Sequence, residues 1–293
     1  NEQLSLIPLE QQIIKDFSHS KFVVCTDAGL SSMQNRKFNS TSNRAFITTQ
    51  SIKKLKAHLK QWCLDPQGWR AEGYDTVFNI SSLESNEAVV EKYKNTTFFK
   101  ERWINENGLE QKLIVTFSLK YKFYQQNIRQ NQLERAKNLI ENYPAQLSHP
   151  RQNDCKRFIS KTTITSDGEI AKKVVYSIDE DKIANEANFD GFYAVCTNLD
   201  ESAYNIVKIN HSRWEIEECF RIMKTDFEAR PVYLKKDNRI KSHFMTCFIS
   251  LILLRYLEKK LNFEYTSTDI IKTLRSMNLT AVGDEGFIPS YTR

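Results

Sequence analysis

The sequence predicts an α/β fold with a β-rich middle and a helical C-terminal end, and three observations carry that expectation. Strand and helix patterns alternate over the first 64 or so residues, which is the order of a layered α/β sheet. A run of short β-patterned segments follows, interrupted by one long helical stretch. From Asp200 onward the periodicity is almost wholly helical.

Element by element, Phe22-Val23-Val24-Cys25-Thr26 is a continuous apolar run ending at Asp27, the pattern of a strand buried on both faces. Ala28-Gly29 turns the chain into Ser31–Asn35, a helix start with serine caps. Ala45–Thr49 reads as the next strand and Ser51 to about Leu64 as a helix. Thr76–Ile80, Thr97–Trp103 and Gln111–Phe117 read as strands, with a polar helix over Ser82–Tyr93. Ser118 to about Tyr143 is a long helix with Tyr121, Tyr124, Ile128, Leu133, Ala136 and Ile140 at helical spacings, closed by Asn142-Tyr143-Pro144. Phe158–Thr165, Ala171–Ser177 and Phe192–Thr197 read as strands, the first two joined by a Ser166-Asp167-Gly168 turn. Ile240–Leu261 is a helix with a wide apolar face. The expected organisation is 1–75 as one half of an α/β core, 76–188 as a β-rich insertion with one long helix, and 189–293 as the C-terminal half with trailing helices.

Composition narrows the function classes. The chain has 293 residues, 40% hydrophobic and 12% aromatic, so it buries a substantial core. Only 8 glycines and 6 prolines exclude collagen-like and low-complexity chains. Gly68-Trp-Arg-Ala-Glu-Gly73 has phosphate-loop spacing but is followed by Tyr74, without the lysine and hydroxyl such a loop needs. A net charge of +6 permits a polyanionic partner without demanding one. The six cysteines are scattered and form no C-x-x-C, which excludes a zinc knuckle and fits a reducing, cytoplasmic compartment. The longest strongly apolar run, Cys247–Leu254, is far short of the ~20 residues of a membrane span, so no membrane association is expected.

The segment with the most chemical content is Asn210-His-Ser-Arg213-Trp-Glu-Ile-Glu217-Glu-Cys-Phe-Arg221-Ile-Met-Lys224. At about 100° per residue, Arg213, Glu217 and Lys224 fall within roughly 40° of one another, with Arg221 beside them. Ile216, Cys219, Phe220, Ile222 and Met223 take the other half. A carboxylate can hold a divalent metal, and flanking cations can hold the oxygens of a phosphate beside it. Spacing alone is equally met by an exposed amphipathic helix with ordinary i±4 ion pairs.

That segment resembles the R-x3-E-x6-K part of the Y-x2-R-x3-E-x6-K signature of DDE insertion-sequence transposases, through Arg213, Glu217 and Lys224. The tyrosine position holds Asn210, a departure. Glu217–Tyr233 followed by Arg239–His243, Phe189–Asn198 and Phe22–Leu30 are similar to the same branch, so the resemblance covers nearly the whole chain. It implies a ribonuclease-H-like core and a centre of two Mg²⁺ or Mn²⁺ ions held by two Asp and one Glu, for attack on a DNA phosphodiester. Asp27 matches the second aspartate and Glu217 the glutamate. Arg213, Lys224, Arg221 and Arg230 would hold phosphates. The roughly 190 residues between the two carboxylates leave room for an insertion. No match to the first aspartate precedes Asp27, so the resemblance implies the C-terminal part of a longer transposase, inactive alone. Its partners would be double-stranded DNA at element ends and target, with a homodimer in the full-length protein and a nucleoid-associated location.

Other readings remain beside this one. Asp27 and Asp190 could instead be the first and second aspartates, although Asp190-Gly191 is an ordinary turn preceding its strand. A DNA-binding remnant without catalysis, a nuclease of the same fold, and a plain structural α/β protein are alternatives. Arg230 and the run Lys235-Lys236-Asp237-Asn238-Arg239-Ile240-Lys241 could neutralise phosphates or be a solvated charge run. Lys53, Lys54 and Lys56 read as an exposed helix face, and Trp214 as packing. His211 and His243 read as residues outside the chemistry, and Cys25 and Cys196 as buried thiols. The mixture of Tyr121, Phe123 and Tyr124 with Lys120, Lys122, Arg129 and Arg135 fits a core-and-water helix or a nucleic-acid face.

Overall fold

A computed structural model describes residues 2–17, 22–41, 43–143, 147, 154–164, 173–281, 283 and 286–290. The chain forms two compact units, 1–210 and 211–293.

The first unit is built on a six-stranded sheet. Its strands are β1 (Phe22–Thr26), β2 (Arg44–Thr49), β3 (Arg70–Ala71), β4 (Phe98–Glu106), β5 (Leu109–Phe117) and β8 (Phe192–Thr197), in the order β1-β2-β8-β5-β4-β3. β1 and β2 are parallel, joined through helix α2 (Met33–Phe38), and every other pairing is antiparallel. Side chains alternate across a strand, and the central strands show it. Phe46, Leu113, Val115, Ala194 and Cys196 enter one core, while their neighbours Ile47, Ile114 and Val195 enter another. The first core is closed by Leu59 and Cys63 of helix α3 (Ala57–Leu64) and by Trp69 and Leu83. The second is closed by Ala203 and Ile206 of helix α7 (Ala203–His211). Burial on both faces explains the near-continuous apolar runs of β2, β5 and β8.

The strand and helix expectations hold at Phe22–Thr26, Ala45–Thr49 and Phe192–Thr197 and within a few residues elsewhere, with three differences. Thr76–Ile80 is not a strand: Phe78 makes one isolated antiparallel bridge to Trp69, and Asn79 caps a 3₁₀ turn over Ile80–Glu84. The expected helix over Ser82–Tyr93 is therefore cut to α4 (Glu87–Tyr93), started by the Asn86 side chain accepting from Val89 N. Ser51–Leu64 likewise breaks into a 3₁₀ turn, Ile52–Lys54, and α3, because Leu55 and Lys56 are extended.

The segment 76–188 divides between two sheets. β4 and β5 lie in the main sheet, whereas β6 (Ile159–Ile164) and β7 (Lys173–Ile178) form a ribbon of their own. The Ser166-Asp167-Gly168 turn lies outside the described residues. Helix α5 (Leu119–Asn142) begins at the Ser118 cap, and helix α6 (Glu180–Ala187) begins at Asp179. Helix α1 (Glu2–Phe17) packs on α2, where buried Glu10 accepts a 2.8 Å bond from buried Asn39.

The second unit holds helices α8 (Trp214–Arg221), α9 (Asp237–Lys260) and α10 (Ser267–Ser276), and a small ribbon of β9 (Leu279–Ala281) and β10 (Phe287–Pro289). Ile222, Leu251, Leu254 and Ile270 form its core. α9 contains an 18-residue window of mean hydropathy 1.3, long and apolar enough by composition to cross a membrane. It passes on length and composition only, a test that core helices also pass, because isolated polar residues interrupt the Cys247–Leu254 run without much lowering the average. The helix also carries the Arg255–Glu258 ion pair at 2.7 Å, with Glu258 buried.

Candidate active site

Asp27 directly follows β1. Thr26, buried, bonds Thr48 of β2 at 2.9 Å and anchors the strand end. The Asp27 side chain is exposed, and its Oδ1 accepts from Gly29 N at 2.9 Å and Leu30 N at 3.1 Å. This is a short side-chain turn of the kind aspartate favours. It holds the carboxylate by one oxygen, with no cation on it among the described residues. A Cβ at Gly29 would sit 3.1 Å from that same oxygen, a tight contact that the carboxylate would have to shift slightly to accept.

The loop after Asp27 is fixed from beneath by Arg36, which the sequence reading passed over. This buried guanidinium bonds Ser31 O at 3.1 Å, Gln111 Oε1 at 3.1 Å and Gln50 Oε1 at 2.7 Å, tying α2 and the loop to the sheet. The sequence signal was weak, because Arg36 sits beside Lys37 and looks like half of an exposed pair.

Asp190 is a different kind of carboxylate. Both of its oxygens face Arg129, one at 2.8 Å and the other in a still closer contact, and the side chain is 5% exposed. Hydrogen bonding to Asp190 raises the Arg129 pKa above its usual value. The buried pairing supports the structural reading of Asp190. Asn210, at the signature's tyrosine position, is buried and donates to the Tyr193 hydroxyl at 3.1 Å, which in turn meets Thr49 Oγ1 at 2.6 Å. It joins α7 to the sheet.

In the second unit, Glu217 lies on α8 with its side chain 68% exposed, and Arg213 reaches its Oε1 at 3.3 Å. Arg213 and Glu217 are therefore brought together as the spacing predicts. Arg221 is not beside Glu217: it grips Glu218 through bonds of 2.8 and 2.7 Å and reaches Ser267 at 3.1 Å. Those bonds pull the Glu218 pKa below the usual carboxylate value. Past Arg221 the helix widens to a π-helix over Ile222–Asp226, closed by Phe227 N to Ile222 O at 3.0 Å. Each turn of that segment holds more residues than an α-turn. Lys224 is thus rotated away from the azimuth that about 100° per residue assigns it. The apolar half also differs from expectation: Ile222 is buried, but Ile216, Phe220 and Trp214 are exposed.

Lys224, Arg230, Lys235, Lys236, Arg239 and Lys241 are all exposed, and no carboxylate pairs with them among the described residues. His243 instead takes a structural contact, its ring Nε2 3.1 Å from Ala229 O, beside Arg230. Among the described residues no cluster of three or more His, Cys, Asp or Glu side chains forms a ready-made metal cage. Asp27 and Glu217 do offer hard oxygen donors open to solvent, the chemistry that Mg²⁺ and Mn²⁺ prefer.

Comparison with known proteins gives one finding. A family model described as a transposase DDE domain matches residues 18–253. No curated protein and no solved structure matches the chain.

Proposed function

The chain belongs to the DDE transposase family, and on that premise we propose that Asp27 and Glu217 contribute to a divalent-metal centre that cuts and joins DNA at the ends of a mobile element. The observation that carries the proposal is Asp27: an exposed carboxylate at the end of a strand, fixed by one oxygen and leaving the other to a ligand. The parallel β1–α2–β2 unit supports a ribonuclease-H-like core.

Bound Mg²⁺ or Mn²⁺ would activate water or a 3′-hydroxyl and stabilise charge on the phosphate. The chain's own residues then have defined tasks. Arg213 holds Glu217 in place, and both Arg213 and Lys224 neutralise the phosphate undergoing attack. Arg230 and the cations from Lys235 to Lys241 bear on the flanking backbone, giving an affinity that falls with salt. Arg221, tied to Glu218, positions the helix and contributes to phosphate binding only by its field. A third carboxylate is needed to complete the centre, so residues 1–293 by themselves are proposed to be inactive. In the whole protein a homodimer on paired DNA ends, in the nucleoid, is the proposed setting. The exposed cations favour a second reading, a DNA-binding remnant without catalysis.

Affinity cleavage separates the two without requiring turnover. Fe²⁺ takes the place of Mg²⁺, and with ascorbate it cuts polypeptide beside the bound ion. In the presence of duplex DNA, cuts are expected next to both Asp27 and Glu217, competed by Mg²⁺ and lost in Asp27→Asn and Glu217→Gln. Salt-sensitive DNA binding with no cuts, or cuts at only one segment, would leave the remnant reading standing and the shared centre refuted.

A further inference from the structure

In the first unit, β4 pairs with β5 along its whole length, Phe98–Glu106, but β3 covers its other side only at Phe98 and Phe99. From Lys100 to Glu106 that outer edge has no strand beside it, and its backbone bonds no other element among the described residues. Every second residue of such a strand turns its N–H and C=O outward, which makes the edge a template for a further strand. Helix α3 runs alongside: Trp62 lies near Lys100 and Arg102, and His58 and Leu59 lie near Ile104.

A cavity of about 190 Å³ opens on this edge, with Arg102–Glu106 of β4 as one wall and Lys56, His58 and Leu59 as the other. It is smaller than a typical small-molecule site and of a size for single side chains. Lys56, His58 and Arg102 are exposed, and no carboxylate pairs with them among the described residues. The acids of the strand are already committed, Glu101 to Lys112 at 3.7 Å and Glu106 to the Gln111 amide at 3.0 Å. Side chains alternate across the strand. Ile104 enters the core beneath α3, so Arg102 shares the α3 face, whereas Trp103, 42% exposed, lies on the other face opposite Lys112. A strand laid on this edge meets cations on one face and an indole on the other.

We propose that the β4 edge binds an extended acidic peptide of a partner protein by strand addition, its carboxylates toward Lys56, His58 and Arg102 and its alternate apolar side chains against Trp103. Main-chain hydrogen bonds to β4 supply the affinity, and the alternation of acidic and apolar side chains supplies the specificity. The outward N–H and C=O groups match a peptide backbone, which a nucleic acid lacks, and this favours a protein partner over DNA. β4 stands four places from β1 in the sheet, roughly 20 Å at ~4.8 Å per strand, so an occupied edge leaves Asp27 open.

The test is fluorescence anisotropy with the full 293-residue chain and a short capped, labelled peptide that alternates valine and glutamate. A peptide alternating valine and lysine should bind at least about 10-fold more weakly. Methylating the backbone nitrogens of alternate residues should cost at least about 10-fold in one phase, where the lost N–H groups face β4, and little in the other. Arg102→Glu should weaken the glutamate peptide and strengthen the lysine peptide, and that exchange excludes a folding effect. Hydrogen exchange over Lys100–Glu106 should slow when the glutamate peptide is added. No binding of the glutamate peptide, equal binding of both peptides, insensitivity to methylation in both phases, or binding without protection of β4 would each overturn the site. Protection of β4 that grows with chain concentration in the absence of peptide would assign the edge to a second copy of the chain. Displacement of the peptide by duplex DNA at lower concentration than by unlabelled peptide would assign the patch to DNA. Either of these two results would refute the peptide site.

Discussion

Two aspartates border strands of the same sheet, each close to a glycine, and they have opposite fates. Asp27 leaves β1 into solvent and spends one oxygen on the backbone of its own turn. Asp190 enters β8 from a buried position and gives both oxygens to Arg129. A carboxylate shaped by its own turn keeps its charge available to an outside cation. A buried one matched on both oxygens by a half-buried guanidinium has its charge already paired, and it costs more to unpair. The difference separates a candidate ligand from a structural latch, although both read as Asp beside a β-run.

The largest effect that would break this contrast is on stability at the latch. Asp190→Ala leaves the half-buried Arg129 without its partner and should destabilise the first unit by about 2–3 kcal/mol, read as a lowered denaturation midpoint. A midpoint near that of the parent would show that Asp190 is not the latch. Asp27→Asn should do the reverse. Its turn can still form through the amide oxygen, so stability should stay within about 0.5 kcal/mol, while Mn²⁺ affinity measured with DNA falls by at least about 100-fold. Unchanged Mn²⁺ affinity would remove Asp27 from the centre.

The two glycines sharpen the same comparison. Gly191 has φ +83°, and a Cβ there would meet Phe117 at 2.8 Å and Lys122 at 2.9 Å. Gly191→Ala should therefore cost about 2 kcal/mol or more in thermal unfolding. A Cβ at Gly29 would meet the Asp27 carboxylate, tightly only at one oxygen, 3.1 Å away. Gly29→Ala should cost less than about 1 kcal/mol and act on metal affinity instead.

The smallest effect is a pH dependence at a third carboxyl. Burial raises the Glu10 pKa above its ordinary 4.5, outweighing the opposing hydrogen bond from Asn39 and the charge of Arg44. Among the described residues, Glu10 Oε1 and Asn39 Oδ1 are both buried without a bonding partner, and a proton on Glu10 would lower the cost of burying that carboxyl. The folded state thus binds this proton more tightly than the unfolded chain. Its contribution is fully present below pH 4.5 and is lost as pH rises through the higher folded value. Hydrogen exchange of α1 should quicken over that window beyond the intrinsic rate increase, and Glu10→Gln should abolish the extra slope. A parent and variant with the same slope would show that Glu10 is already charged when folded.

Much of the framework was legible before any coordinates. β2 and β8 could be read directly because burial on both faces leaves unbroken apolar runs; β1 shows the same run, yet it lies at the end of the strand order with Val23 exposed, which corrects the expectation that it is buried on both faces. Thr76–Ile80 misled because Thr, Val and Phe carry β propensity, whereas Asn79 turned the chain into a 3₁₀ segment. The Arg213–Glu217 contact was legible because i and i+4 meet on any α-helix. Lys224 was misplaced because the π-turn at Ile222–Asp226 is not written in residue spacing.

The sequence by itself determined the α/β alternation, the Asp27 strand end, the Glu217 helix and the family. Each depends on local periodicity or on a short run of residue types. Only the tertiary structure decided that Asp190 is latched by Arg129, 61 positions away, and that Arg36 reaches across 75 positions to Gln111. It alone gathered Lys56, His58 and Arg102 around one groove. The reason is physical: whether a charge is spent or available depends on which group the fold brings against it, and that group lies far along the chain.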